Sequence, residues 1–220
     1  MSELNFKRKG SASGEDSSVV LFVHGYGADG ADLLGLADPL APHLPDTVFV
    51  AVDAPERSMA NPMGFQWFPI PWIDGSSEVA AAEGMRRSAK SLDAFIDKVL
   101  ADEGLSPDRL ILFGFSQGTM MSLHVAPRRA DEIAGIVGFS GRLMQPEALT
   151  TEALSKPPVV LIHGNADDVV PFEEMQLAGE ALQGAGFEVY GHVMQGTAHG
   201  IAPDGLSVAL AFIRDKLDIQ

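Results

Sequence analysis

Gly114-Phe115-Ser116-Gln117-Gly118 sets a serine between two glycines, directly after the apolar run Leu110–Phe113 and directly before the helix-forming stretch Thr119–Val125. A G-x-S-x-G pentapeptide between a strand and a helix turns sharply, because glycine adopts backbone angles that side chains disfavour. The serine hydroxyl then stands above the carboxyl end of the strand, and the helix start aims free N–H groups at the same spot. A serine hydroxyl is a poor nucleophile by itself. Acyl-transfer chemistry needs a base to take its proton and an acid to orient that base.

Six histidines compete for the role of base. His43 sits among prolines and reads as a surface residue, whereas His124 falls on the helix behind the serine, where a satisfied structural role is expected. His192 lies inside an apolar strand pattern. His24 and His163 each end a strand and precede glycine, positions suited to shaping loops. His199 differs, since it stands in the small-residue loop Gln195-Gly196-Thr197-Ala198-His199-Gly200 between the last strand pattern and the closing helix. The chain order serine, acid, histidine puts the base there. The acid comes from Asp167 or Asp168, both of which follow the apolar run Val159–Ile162, and spacing alone leaves the two open. A developing oxyanion needs two N–H donors. The loop His24-Gly25-Tyr26-Gly27 supplies backbone for one, and the Gln117 N–H beside the serine is the other.

These loops need a rigid frame. The runs Val19–Val23, Val48–Val52, Leu110–Phe113, Ile133–Phe139 and Val159–Ile162 are short, rich in β-branched residues and bounded by Gly, Pro or Asp, so they read as strands buried on both faces. A further strand is expected at Phe187–Met194. Met85, Ala89, Leu92, Ile96 and Val99 recur at steps of three and four, a helical period ended by Gly104 and Pro107, and Leu206–Leu217 is a second amphipathic pattern. Alternating strands and helices predict an α/β fold, a mostly parallel central sheet with helices on both faces, formed as one domain over residues 1–220. Residues 1–17 are expected to be loosely ordered or to start an edge strand. Residues 54–75 break the alternation with four prolines and the aromatic residues Phe65, Trp67, Phe68 and Trp72, which makes them a long stiff loop that either lines a substrate site or caps the core.

Composition narrows the partners. Thirty Asp and Glu against fifteen Lys and Arg give a net charge of −15, which repels nucleic acid and anionic lipid. With no cysteine, disulfides, thiolate metal sites and S-palmitoylation are ruled out. The first eighteen residues show no secretory h-region, no apolar run approaches the length of a membrane helix, and a cytoplasmic protein without a stable membrane anchor is expected.

The set HGYG at 24–27, GFSQG at 114–118, HGNADDVVP at 163–171 and the lone His199 resembles the phospholipase/carboxylesterase family of α/β-hydrolases, which includes acyl-protein thioesterases, over residues 19–218. The resemblance implies a catalytic triad of Ser116, Asp167 and His199. The family pattern G-x-x-D-x-x-V-P falls on Gly164, Asp167, Val170 and Pro171, which selects Asp167 over Asp168. It also implies oxyanion donors at the backbone N–H groups of Tyr26 and Gln117. Its aromatic pair falls on Trp67-Phe68, with Pro69 where the family often has Asp. Phe65, Trp67, Phe68 and Trp72 are then the candidates for substrate contact. The expected activity is hydrolysis of a small ester or acyl substrate, with no metal and no organic cofactor. A thioesterase or lysophospholipase using the same triad is the alternative, and a non-catalytic ligand-binding protein on the same scaffold is the reading from another class. The sequence leaves open whether two copies pair as a homodimer.

Overall fold

The computed structural model describes residues 4–219. Strands β1 (Phe6–Lys9), β2 (Ser18–Val23) and β3 (Thr47–Val52) are followed by a small hairpin, β4 (Glu56–Arg57) and β5 (Phe65–Gln66). Then come β6 (Leu110–Phe115), β7 (Gly135–Phe139), β8 (Val159–Gly164) and β9 (Val189–Met194). Helices α1 (Gly30–Leu34) and α2 (Ala37–Leu40) join β2 to β3, while α3 (Pro71–Asp74) and the long α4 (Glu78–Glu103) precede β6. Helices α5 (Gln117–Val125), α6 (Pro146–Glu152), α7 (Glu173–Gly184) and α8 (Pro203–Lys216) follow β6, β7, β8 and β9 in turn.

The main sheet has the order β1-β3-β2-β6-β7-β8-β9. Only β1 runs antiparallel, pairing Phe6 with Val52 and Lys9 with Phe49 at the edge, so the beginning of the chain forms an edge strand from Phe6 onward. Residues 1–3 lie outside the described residues.

The continuous apolar runs of the sequence are explained by burial on both faces. In β2, Val19, Leu21 and Val23 point to one core and Val20 and Phe22 to the other; in β3, Val48, Val50 and Val52 oppose Phe49 and Ala51. The second face carries a row of rings, with Phe113 in contact with Phe22 and Phe139 at centroid distances of 5.1 and 5.2 Å. Such pairs add about 0.5 to 1.5 kcal/mol each beyond the area they bury.

Helix α4 presents Met85, Leu92, Phe95, Ile96 and Val99 to the first core, as its period predicts. Ser77 caps its start by accepting the Ala80 N–H, and Gly104 ends it at a left-handed φ of 67°. Two strands begin later than the apolar runs suggest. Ile133 and Phe187 are buried but sit ahead of β7 and β9, and the Phe187 N–H is taken by the Leu182 carbonyl at the end of α7. Burial makes a residue look like part of a strand even where the ladder has not begun.

Candidate active site

The chain leaves β2 toward β3 on one side and β6 toward β7 on the other. Open α/β sheets bind ligands in the crevice above such a divergence, at the carboxyl ends of the strands. Val23 of β2 is paired with Gly114 of β6, so His24 to Gly27 and Ser116 leave the sheet side by side.

Ser116 has φ 54° and ψ −116°, a conformation costly for any residue with a side chain. Its neighbours enforce it. A Cβ on Gly118 would lie 1.8 Å from the Val23 carbonyl oxygen, and one on Gly114 would lie 2.6 Å from the Thr119 nitrogen. The Ser116 N–H is anchored on the Phe139 carbonyl at 2.8 Å. Close packing of the turn against two strands thus holds the strained serine at the start of α5.

Asp167 and His199, the candidate acid and base, meet through a second close approach. A Cβ on Gly164 would fall 2.1 Å from the Thr197 carbonyl oxygen, and the two loops are joined by Ala166 N–H to Thr197 O at 3.0 Å and by Asn165 to Gln195 at 2.7 Å. There His199 Nδ1 donates to Asp167 Oδ2 at 2.7 Å. Asp167 Oδ1 accepts the N–H groups of Val169 and Val170, each at 2.9 Å. Burial of this carboxyl works against its charge, but the hydrogen bonds from His199, Val170 and Val169 outweigh that and hold it below the usual carboxylate range. Asp168 is exposed. His163 Nε2 donates to the Val170 carbonyl at 2.9 Å and lies 3.3 Å from Asp167 Oδ2, so it braces the acid loop. The His199 ring rests against Phe115, centroids 4.9 Å apart, which brings this histidine beside the residue that precedes Ser116. No hydrogen bond joins the Ser116 hydroxyl to His199 among the described residues. Catalytic hydrogen bonds often tighten only when substrate binds.

In the loop after β2, the Gly27 and Ala28 N–H groups are taken by Phe65 O at 2.8 Å and Gly25 O at 3.3 Å. Among the described residues the Tyr26 and Gln117 N–H groups have no acceptor. The Tyr26 hydroxyl donates to Asp74 Oδ2 at 3.0 Å, which ties this loop to α3, a contact with no signal in the sequence.

A family model described as phospholipase/carboxylesterase matches residues 10–217. The chain belongs to that family. Acyl-protein thioesterase 1 of Gibberella zeae is 29% identical over 220 residues, covering 94% of this chain and 93% of its own length. Esterase YpfH of Escherichia coli is 28% identical over 200 residues, 89% of this chain and 82% of its own. The crystal structure of esterase PE8 superposes with a TM-score of 0.93 at 41% identity, covering 98% of this chain and 100% of that one. The protein is a serine hydrolase of the phospholipase/carboxylesterase family on the α/β-hydrolase fold.

The aromatic loop of this family member is distributed differently from the sequence expectation. Trp67 is 0% exposed, its indole N–H donates to the His24 carbonyl at 3.0 Å, its backbone N–H to Gln117 Oε1 at 2.8 Å, and its carbonyl accepts from the Ser88 hydroxyl. It is placed as an anchor for the loop and not as a substrate contact, because an indole this enclosed has no free face. Phe68 is buried beside a cavity of about 390 Å³ that also touches Met85, Met144, His124 and Arg128. Phe65 is half-buried under the Arg57 guanidinium, 4.3 Å from its centroid. Trp72 is 69% exposed. Residues 54–75 include β4, β5 and α3, so the stretch is structured, with Gly64 so close that a Cβ would lie 2.0 Å from the Gly27 carbonyl oxygen.

The remaining histidines divide. His24 accepts the Ala54 N–H on Nε2 at 3.0 Å and donates from Nδ1 to Gly25 O at 2.7 Å, a neutral ring fixed in the loop as expected of a loop-shaping residue. His192 pairs with Asp204 at 2.8 Å on the surface, and His43 is exposed. His124 departs from the expectation of a satisfied residue: its buried Nδ1 has no partner among the described residues, because it faces the 390 Å³ cavity instead of a backbone acceptor. The sequence reading also missed a smaller apolar cavity of about 260 Å³ between α1, Phe115 and Ile201. Its only sequence signal is that Phe115 and Ile201 flank the serine and the histidine. No group of three or more His, Asp or Glu side chains among the described residues is arranged to hold a metal ion.

Proposed function

We propose that Ser116, His199 and Asp167 hydrolyse carboxylic esters through an acyl-enzyme. Ser116 Oγ attacks the carbonyl carbon while His199 Nε2 takes its proton, the oxyanion is met by the Tyr26 and Gln117 N–H groups, and the proton passes to the leaving alcohol. Water then attacks the acyl-serine with His199 again as base. Asp167 keeps the proton on Nδ1, leaves Nε2 as acceptor and supports the imidazolium. The observation that carries this reading is the 2.7 Å hydrogen bond between His199 and the buried Asp167, held over the strand that ends in the strained Ser116. The chemistry calls on no metal and no organic cofactor.

A thioester passes through the same tetrahedral intermediate, and the likeness to acyl-protein thioesterase 1 supports thioesters as a second substrate class. No helix among the described residues is long and apolar enough to cross a membrane, and the net charge of −15 disfavours nucleic acid as a partner, in keeping with an enzyme acting on small acyl substrates. A fluorophosphonate probe followed by peptide mass analysis tests the mechanism. It should label Ser116 in the native protein and nothing in Ser116→Ala. Labelling elsewhere, or a Ser116→Ala variant with more than a tenth of native turnover on an aryl ester, overturns the reading, and absence of both labelling and turnover returns the protein to a ligand-binding role.

A further inference from the structure

We propose that the 260 Å³ cavity beside His199 is the subsite for the alcohol half of the ester; the inference rests on the roles of Ser116 and His199 given above. The cavity is walled by Gly25, Ala28, Leu33, Leu36, Phe115 and Ile201. The two polar side chains at its edge are already engaged. Asp32 Oδ2 accepts the Asp29 N–H at 3.1 Å within the cap of α1, and both His24 ring nitrogens are hydrogen-bonded to backbone. What the cavity offers a ligand is therefore apolar contact. At about 260 Å³ it falls just short of the ~300 Å³ at which pockets for drug-sized molecules begin, a size for a short alkyl or single-ring group.

Its position assigns the half of the substrate. Phe115 precedes Ser116 and packs on the His199 ring, and Ile201 follows His199 by two residues. Gly25 forms the wall nearest the nucleophile: a Cβ there would sit 3.3 Å from the Ser116 Cβ and 3.2 Å from Phe115 Cδ1. The cavity therefore lies next to the serine turn, bounded by Gly25 and by the residues that neighbour Ser116 and His199, on the sheet face covered by α1 and α8. In acylation the bond from Ser116 Oγ to the acyl carbon forms and the bond from that carbon to the alkoxy oxygen breaks. The proton that left Ser116 passes from His199 Nε2 to that oxygen, which becomes the free alcohol. The alkoxy oxygen must lie against the imidazole for this transfer, so the group it carries extends into the space next to His199. The larger cavity at Phe68, Met85 and Met144 belongs to the core of the opposite sheet face.

The test uses two series of substrates on the whole protein. Methyl, n-butyl and benzyl acetate vary the alcohol, and p-nitrophenyl acetate, butyrate and octanoate vary the acyl chain. Leu36→Trp fills the cavity and should lower the kcat/KM ratio of n-butyl to methyl acetate about tenfold or more, the discrimination one or more methylenes carry in an apolar pocket, while the acyl-series ratios stay within twofold. Ile201→Ala widens the cavity and should raise the benzyl to methyl ratio, which keeps the inference testable if the tryptophan variant does not fold. Acyl-series ratios that move while the alcohol series stays fixed would make this an acyl site and overturn the assignment. Unchanged ratios in both series would show the cavity to be unused. Failure of the native protein to form an acyl-serine would strike the catalytic reading instead, a separate result read directly by mass.

Discussion

Gln117 grips the backbone on either side of the Trp67–Phe68 peptide: its Oε1 accepts the Trp67 N–H and its Nε2 donates to the Phe68 carbonyl, both at 2.8 Å. The side chain that follows the nucleophile thereby substitutes for a neighbouring strand and fastens the aromatic loop over the serine turn. Gln117→Ala leaves one buried donor and one buried acceptor without partners, each costing about 1 to 3 kcal/mol. Urea unfolding should show a loss of roughly 2 to 6 kcal/mol, accompanied by reduced kcat as the Gln117 N–H loses its fixed direction. A loss below 1 kcal/mol would mean that the loop holds itself.

Ser116, the proposed nucleophile, holds a strained backbone. With φ 54° and ψ −116°, glycine fits this position more easily than any residue with a Cβ. Ser116→Gly and Ser116→Ala should both lose hydrolysis, by roughly 10⁴ to 10⁶ in rate, yet the glycine variant should be the more stable of the two by about 1 to 3 kcal/mol. Equal melting temperatures for the two would show that the surrounding turn relaxes and stores no strain.

The adjacent carboxylates at 167 and 168 have opposite surroundings. Asp167 is buried on His199 and two backbone N–H groups, and Asp168 faces solvent. Asp167→Asn should cost kcat up to about 10⁴ by presenting the wrong imidazole tautomer to the serine, whereas Asp168→Asn should stay within a few-fold of the native rate. The reverse order in steady-state kinetics would move the acid by one residue.

The strands, and the serine turn with His199 as candidates, were legible because both rest on local rules. A run such as Val19–Val23 with no polar member has only a doubly buried strand to go to, and G-x-S-x-G needs its flanking strand and helix to make sense. Asp167 was separated from Asp168 only by resemblance; the structure separates them physically, through the turn in which Val169 and Val170 donate to the inward carboxylate. The partners of Trp67 could not be read. Its three-way tether depends on Gln117, His24 and Ser88, residues 21 to 50 positions away, and an aromatic residue in a proline-rich loop looks the same whether it is lining or anchoring. The cavity beside His199 was equally hidden, since α1, β6 and the final loop build it together.

Stability should fall in mild acid. Burial, helped by the charge of Arg128, pushes His124 down to about 4, and burial also holds His24 below its ordinary value. Both rings are neutral in the folded chain and take up protons more readily once unfolded. Their contribution is complete above the unfolded value of about 6.5 and is lost as pH falls from there toward about 4. Unfolding free energies measured by urea at pH 7.5, 6, 5 and 4.5 should decline for the native protein and decline less for His124→Gln. Parallel curves for the two would show that His124 is protonated without penalty, as a ring reached by water in the adjoining cavity would be.

The two tryptophans should answer differently to the same truncation. Trp67 is 0% exposed and packs against the His24 ring, centroids 5.8 Å apart, whereas Trp72 is 69% exposed on α3. Removing a buried indole leaves a cavity and strands the His24 carbonyl, and large-to-small changes of this kind cost about 3 to 5 kcal/mol. Trp67→Ala should therefore lower the melting temperature by many degrees and reduce turnover of all esters together, without shifting which acyl chain is preferred. Trp72→Ala should leave unfolding within about 0.5 kcal/mol of native, so any change it makes in the acyl-chain profile reads out substrate contact directly. A stable Trp67→Ala variant with an altered chain-length optimum would return Trp67 to the substrate site, since only a side chain that meets the acyl group can move the optimum without moving the fold.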